Sequence, residues 1–319
     1  MTGLSHPAQS APLLMKPRVV IIVGPTAVGK SAVALALAIE TGAEIVNADS
    51  QQIYRHMDIG TWKPSREMRQ QVVHHLIDIV EPTEDFNAAL FRAKAIEVIR
   101  DIDRRNSKAL VCGGTGLYIK ALTHGIFVGP ARDLRLRASL ASEAEKSGLD
   151  ALYKRLRELD PQAAAAIHPH DGVRIVRALE VYALSGKRLS QWQREHNFQD
   201  SWCETLKIGL ERARDELYTL INRRCEEMFS LGLVEEVKSL VASGYNFDLK
   251  AMQSIGYRHA GLYVRGAVSL GEALELMKRD TRRFAKRQLT WFRADREIRW
   301  FHPERDRNEI LTSITEFWR

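Results

Sequence analysis

The first strong pattern in the chain is an unbroken apolar run, residues 18–24 (RVVIIVG), which ends in glycine. Such a run suits a strand covered on both faces in a parallel sheet. A helical pattern follows over residues 30–40. Two further short apolar runs, 43–48 (AEIVNA) and 108–112 (KALVC), predict strands, the later one ending in Gly113-Gly114. Between them, Ala88, Phe91, Ala95, Val98 and Ile102 recur at helical spacing behind Asn87, a suitable N-cap, so 87–104 is predicted as a helix. Strands alternating with helices predict an α/β fold on a parallel sheet.

The pattern changes after about residue 130. From Asp133 to about His196 it is charged, wholly helical and without a strand candidate. Residues 205–210 (TLKIGL) return to strand character, helical patterns cover 214–230, 232–242 and 269–293, and 297–301 (EIRWF) is a candidate last strand. The expected organisation is a disordered tail over 1–16, a core from 17–130 and 197–319, and an all-helical insertion subdomain over 131–196.

Composition adds a sizeable core, with 45% apolar and 27% charged residues, and a net charge of +7 that favours anionic partners. Cys112, Cys203 and Cys225 lie far apart, which predicts no zinc ribbon and no disulfide framework and suits a reducing cytoplasm. No apolar run approaches a membrane span, and the segment MTGLSHPAQSAPLLMKP lacks a signal-peptide pattern. A cytoplasmic monomer without a membrane partner is expected. His74 and His75 are adjacent, so they face opposite sides of a strand, and His168 and His170 bracket a proline; neither pair predicts a metal centre.

Residues 24–31 read Gly24-Pro25-Thr26-Ala27-Val28-Gly29-Lys30-Ser31, the P-loop pattern, set between a strand and a helix. Glycines let successive N–H groups converge on one anion, and the helix N-terminus adds positive potential. Lys30 supplies a charge for phosphate oxygens, and Ser31 a hydroxyl for Mg²⁺. The fold class is therefore a P-loop NTPase-like parallel sheet flanked by helices. Phosphoryl transfer usually needs a further acidic Mg²⁺ ligand at a neighbouring strand end. The strand at 109–112 ends in Gly113-Gly114-Thr115 instead, which leaves Asp78 as the other candidate. The loop can therefore hold a diphosphate without splitting a nucleotide.

With these residues in view, the chain resembles the tRNA dimethylallyltransferases, also called tRNA isopentenyltransferases. The matching segments are Gly24 to Ser31; Asp49-Ser50-Gln51-Gln52-Ile53-Tyr54 with Asp58-Ile59-Gly60-Thr61 and Lys63-Pro64; and Gly113-Gly114-Thr115-Gly116-Leu117-Tyr118. They continue through Asp171, Arg174-Ile175 and Arg177-Ala178-Leu179-Glu180-Val181, then Ser254-Ile255-Gly256-Tyr257, then Ala285-Lys286-Arg287-Gln288 with Thr290-Trp291-Phe292-Arg293. The resemblance runs from about residue 18 to 300, in the family's order. The zinc finger that ends the eukaryotic members is missing, so the chain is similar to the bacterial branch. The resemblance implies transfer of the dimethylallyl group of dimethylallyl diphosphate to N6 of the adenosine just 3′ of the anticodon, with diphosphate released and Mg²⁺ as cofactor.

The residues then acquire expected roles. Asp49 follows a strand, at the edge where α/β folds bind ligands. By position it is either an N-cap or a site carboxylate; the resemblance makes it the base that takes the N6 proton. Thr115 is either a turn-stabilising hydroxyl or, as the resemblance implies, a group beside the adenosine. The resemblance places Gly24, Thr26, Ala27, Val28, Gly29, Lys30 and Ser31 on the diphosphate, together with an arginine after the strand TLKIGL. Arg214 and Arg224, read as sharing one helix face, are the candidates, and Arg224 is assigned to catalysis.

For tRNA, the resemblance implies contacts from Asp49, Ser50, Gln51, Gln52 and Thr115; from Arg137; from Val173, Arg174, Ile175, Val176 and Arg177; from Gln253, Ser254, Ile255, Gly256, Tyr257 and Arg258; and from Lys286, Arg287, Gln288, Trp291 and Arg293. On spacing alone Arg174 and Arg177, three apart on one helix face, read as surface charges. Residues 282–293 hold five basic side chains and no acid, with Arg282, Lys286 and Arg293 on one side and Ala285, Leu289 and Phe292 on an apolar stripe. The insertion and this helix are expected to grip the anticodon stem-loop, with the target base flipped out. The competing classes are a small-molecule kinase, a prenyltransferase acting on free adenylate, and a non-enzymatic RNA-binding module.

Overall fold

The N-terminal apolar run is strand β1 (Arg18–Val23), in which Val19, Val20, Ile21, Ile22 and Val23 are wholly buried. The P-loop leads from it into helix α1 (Lys30–Thr41), and strand β2 (Ala43–Asn47) follows. Helix α2 (Arg66–Gln71), strand β3 (His74–His75), helix α3 (Ala88–Arg104), strand β4 (Lys108–Cys112) and helix α4 (Gly116–His124) come next. Asn87 caps α3 by accepting from Ala89 N and Leu90 N, each at 3.0 Å. After the helical segment come β5 (Glu204–Leu210) and β6 (Arg299–Phe301), and the parallel sheet has the order β3-β2-β4-β1-β5-β6. The computed structural model describes residues 16–197 and 202–319. The tail expected over 1–16 lies outside the described residues but for Lys16.

The chain forms two compact units, one holding the sheet and the other spanning His124–Ser201. The second comprises α5 (Leu134–Ser147), α6 (Leu149–Leu159), α7 (Pro161–Ala166), α8 (Gly172–Ser185) and α9 (Leu189–His196). Its own core gathers Leu140, Leu152, Leu156, Ile175, Leu179 and Val181. The unit is wider than 131–196 because Phe127, in the segment expected to belong to the sheet core, packs on the helical unit's own core. In the sheet unit the Trp202 indole N–H donates to Leu122 O at 2.6 Å, so the chain leaves and re-enters at one point.

Helices α10 (Arg214–Ser230), α11 (Leu233–Ala242), α12 (Tyr257–Val264), α13 (Leu270–Arg293) and α14 (Arg307–Trp318) complete the sheet unit. Helix α13 opens on a capping box, in which Ser269 and Glu272 exchange side-chain and backbone bonds. Ala285 and Phe292 of its apolar stripe are buried. Among the described residues no helix is long and apolar enough to cross a membrane.

Candidate active site

The carboxyl ends of β1, β2 and β4 open on a cavity of about 350 Å³. This is the edge at which a parallel α/β sheet collects loop N–H groups and helix N-termini. From the P-loop, Thr26, Lys30 and Ser31 line it. Lys30 Nζ donates to Pro25 O at 2.7 Å. Burial pulls its pKa from 10.5 to about 8; Cys112 and Asp49 oppose the fall, and Arg224 adds to it.

Asp49 lines the same cavity, and its Oδ1 accepts Gln51 N at 2.8 Å and Gln52 N at 3.4 Å. It therefore makes cap-type bonds with one oxygen, while Oδ2 makes no hydrogen bond among the described residues. Asp49 is also the one carboxylate among the lining residues. Thr115 Oγ1 accepts Ser50 N at 3.0 Å, and Thr115 N donates to Ala48 O at 3.3 Å. The turns after β2 and β4 thus hold each other. A Cβ on Gly113 would collide with the Ala48 carbonyl, so glycine is required for that approach.

Asp78 has a different use. It receives Lys63 Nζ at 2.5 Å and Arg69 Nη1 at 2.7 Å, lies beyond the two-residue β3, and is not among the cavity-lining residues. Its carboxyl is held below the usual range by these partners, against the opposing effect of burial.

Arg224 enters the cavity from α10, with its guanidinium 5.1 Å from the Trp62 ring centroid. It makes no hydrogen bond or ion pair among the described residues, so its donors are uncommitted. Burial lowers its pKa to about 10, which leaves it charged at neutral pH. Arg214 corrects the expected pairing. It is exposed and stacks on Tyr218 at 5.2 Å. Ten residues advance a helix by about 15 Å and turn the side chains about 80° apart, so the two arginines cannot share one anion.

The other arginine near the P-loop is Arg212, which sequence reasoning missed. Its Nε donates to Val28 O at 3.0 Å, and its other nitrogens pair with Glu216 and Glu304. Arg212 lies just beyond the end of β5, and that strand-end position was the available signal. Trp62, Met228, Met277 and Phe284 are further lining residues that it did not single out.

Of the remaining sequence candidates, Ser50, Gln51, Gln52, Gln253, Ser254, Ile255 and Gln288 line the cavity. Gln288 works inside the protein: its Oε1 accepts Thr26 N at 2.9 Å and its Nε2 donates to Gly114 O at 2.8 Å, which joins the P-loop to the turn after β4. Tyr257 is fully buried with its hydroxyl on Glu236, and Gly256 is buried too, so neither offers a surface to tRNA. Arg258 pairs with Asp280 at 2.8 Å.

On α13, Lys286, Arg287, Trp291 and Arg293 are exposed. Arg293 bonds Glu211 at 3.0 Å and Arg287 stacks on Phe284 at 5.8 Å. Arg282 turns to Asn222 at 2.6 Å instead of joining an open stripe, and Arg283 lies 3.6 Å from Asp280. The basic run is therefore partly neutralised by acids outside it.

Within the helical unit, Val173 and Arg174 are exposed, and Asp171 lies 3.3 Å from Arg174. Ile175 is wholly buried and Val176 packs on the same core, which corrects Ile175 as a contact residue. Arg137 and Arg177 converge on Glu180, which is itself fully buried. Burial alone would raise the Glu180 pKa; hydrogen bonds from Arg137, Arg177 and Asp133 N hold it down at about 2. These two arginines fasten the unit before they can serve a ligand.

Comparison with known proteins agrees with this geometry. The sequence pattern of the family described as IPP transferase matches residues 52–295, and one described as isopentenyl transferase matches residues 17–79. A tRNA dimethylallyltransferase of Geobacter metallireducens is 50% identical over 95% of this chain and 98% of its own. The crystal structure of a tRNA isopentenylpyrophosphate transferase from Bacillus halodurans superposes with a TM-score of 0.71, at 40% identity, over 95% of this chain and 97% of that one. A eukaryotic dimethylallyltransferase acting on tRNA gives 0.76 at 26% identity, over 93% and 78%. A P-loop, a lone cavity carboxylate and an uncommitted arginine on this sheet, with these likenesses, place the chain in the IPP transferase family, that of the tRNA dimethylallyltransferases.

Proposed function

We propose that the chain transfers the dimethylallyl group of dimethylallyl diphosphate to the exocyclic N6 of the adenosine just 3′ of the anticodon in tRNA, releasing diphosphate. The observation that carries the reading is one cavity with two cationic side chains, Lys30 and Arg224, and a single carboxylate, Asp49. That set suits departure of an anion and removal of one proton. It does not suit phosphoryl transfer, for which the natural acidic partner, Asp78, is already bound to Lys63 and Arg69.

In the step itself the N6 lone pair attacks C1 of the dimethylallyl group, and the C1–O bond breaks with its electron pair passing to diphosphate. Lys30, Arg224 and the P-loop N–H groups stabilise the growing charge there. Asp49 Oδ2 receives the N6 proton, and the Thr115 hydroxyl, which accepts from Ser50 N, still has its own proton to donate to the nucleotide. Ala34, Ile45, Ile77, Met228 and Met277 supply apolar wall for the prenyl group. The exposed Ser31 hydroxyl fits Mg²⁺, a hard ion that takes oxygen donors and keeps several waters; when bound, it offsets diphosphate charge.

For tRNA, Arg174 and Val173 on α8, and Lys286, Arg287, Trp291 and Arg293 on α13, are the exposed groups suited to phosphates and unstacked bases. The chain acts as a cytoplasmic monomer, with three buried cysteines that suit a reducing compartment. The test is incubation with labelled dimethylallyl diphosphate and either unmodified tRNA or free AMP. Label in tRNA alone, without ATP consumption, is expected. Label in AMP points to a free-nucleotide acceptor, and stoichiometric ATP hydrolysis to a kinase.

A further inference from the structure

Glu236, in the first turn of α11, accepts four hydrogen bonds. Its Oε2 takes Asp58 N at 3.0 Å and Ile59 N at 2.8 Å; its Oε1 takes Gly60 N at 3.2 Å and the Tyr257 hydroxyl at 2.5 Å. Three successive backbone N–H groups thus close on a carboxylate supplied by a distant helix. A Cβ on Gly60 would collide with the Tyr257 ring, so this loop and α12 are in intimate contact. The glycine is needed for that approach.

The loop goes on to form a wall of the reaction cavity through Gly60, Thr61 and Trp62. Trp62 sits at φ 53, a left-handed conformation that a bulky side chain holds only under constraint. That conformation places its ring 5.1 Å from the Arg224 guanidinium. The carbonyls of Thr61 and Trp62 receive Gln52 Nε2 at 3.2 and 3.1 Å, and Gln52 N donates to Asp49 Oδ1. A continuous chain of contacts therefore runs from Glu236 through one loop to both the leaving-group cation and the turn of the proton acceptor.

We propose that Glu236 is a positioning residue for the transfer step, which holds the loop 58–62 so that Trp62 backs Arg224 and Gln52 braces Asp49. The inference rests on the transfer reading above. Glutamine at this position keeps the shape but offers one acceptor oxygen and an NH₂ group that faces donors. The carboxylate also matches the partial positive charge of the loop N–H groups, which a neutral amide does not.

The experiment is single-turnover transfer from saturating dimethylallyl diphosphate to tRNA, with folding monitored by circular dichroism. In the wild-type background Glu236→Gln is expected to slow transfer about 10²-fold, the cost of a misplaced catalytic group. Tyr257→Phe, which removes one of the four bonds and keeps the ring, is expected to slow it about tenfold on the same grounds. In a Trp62→Ala background each should cost several-fold less than in wild type, because the Trp62–Arg224 contact is already lost, while the main-chain bonds to Gln52 remain and keep a residual effect. A role in stability alone predicts the same factor in both backgrounds, and that result, or a wild-type rate in the folded single variants, overturns the inference. A wild-type chain that leaves tRNA unlabelled refutes the transfer reading and the inference with it.

Discussion

Asp49 has two roles that substitution can separate. Its Oδ1 organises the turn through Gln51 N and Gln52 N, and Oδ2 is left for the substrate proton. Asp49→Asn keeps an oxygen for the turn and replaces Oδ2 with an NH₂ group that accepts no proton. The fold should then be unchanged, while the chemical step slows by roughly 10²–10⁴-fold, the usual contribution of a general base. That is about 3–5 kcal/mol of transition-state stabilisation. Asp49→Ala removes both roles, with a similar loss of rate and about 1 kcal/mol less stability from the missing cap-type bonds. Single-turnover transfer, with enzyme in excess over tRNA, measures the first effect, and urea unfolding the second. Affinity for tRNA should change little. A single-turnover rate for Asp49→Asn within about threefold of wild type would refute the assignment, since no general base is that dispensable.

The Lys30 ammonium has its pKa lowered to about 8, so kcat/KM for the diphosphate donor should fall as pH rises through about 8, and Lys30→Arg should flatten that limb. Stability has the opposite sign: burying the charged lysine costs free energy below about 8, and the cost is relieved as pH rises from there toward 10.5, as pH-dependent unfolding would show. Gln288→Leu leaves Thr26 N and Gly114 O without their partner, so the Kd for inorganic diphosphate should rise about tenfold, read by calorimetry. Arg177→Ala strips a partner from buried Glu180 and should destabilise the protein by about 1–3 kcal/mol, whereas Arg174→Ala should leave the melting temperature unchanged and lower only the affinity and salt slope of tRNA binding.

The P-loop and Asp49 were legible because each belongs to a contiguous device, a strand that ends in a loop whose chemistry depends on consecutive residues. Such a device carries its spacing with it. Arg212 and Glu236 were not legible, and Gln288 was legible only as an expected tRNA contact, because each bonds backbone atoms of an element distant in sequence; Trp62 was missed because its partner, Arg224, is equally distant. Nothing in a side-chain pattern reports a bond to Val28 O or Gly114 O. Arg214 was misplaced because helical spacing was applied without the rise that accompanies it. Ile175 and Tyr257 lie within segments that also carry polar candidates, yet burial divides such a segment residue by residue, so a shared motif does not make every member a contact. The strand β3 was read only in passing, through the adjacent His74 and His75, because two residues make no period.

The connection closed by Trp202 and Leu122 has a consequence for the order in which the molecule can be built. Strand β1 needs β4 on one side and β5 on the other, and the β5 partner of Arg18 is Glu204, 186 residues later. During vectorial synthesis β1 therefore emerges, pairs with β4, and keeps one row of N–H and C=O groups open until the whole helical unit has left the ribosome. An open row of this kind is the usual seed of intermolecular pairing. The helical unit is continuous in sequence and closes on contacts between neighbouring helices, so its own folding need not wait for the sheet. A nascent chain stalled before residue 204 should thus hold a folded helical unit beside an incomplete sheet, and extension through β5 should be the event that makes the apolar core of the sheet resistant to protease.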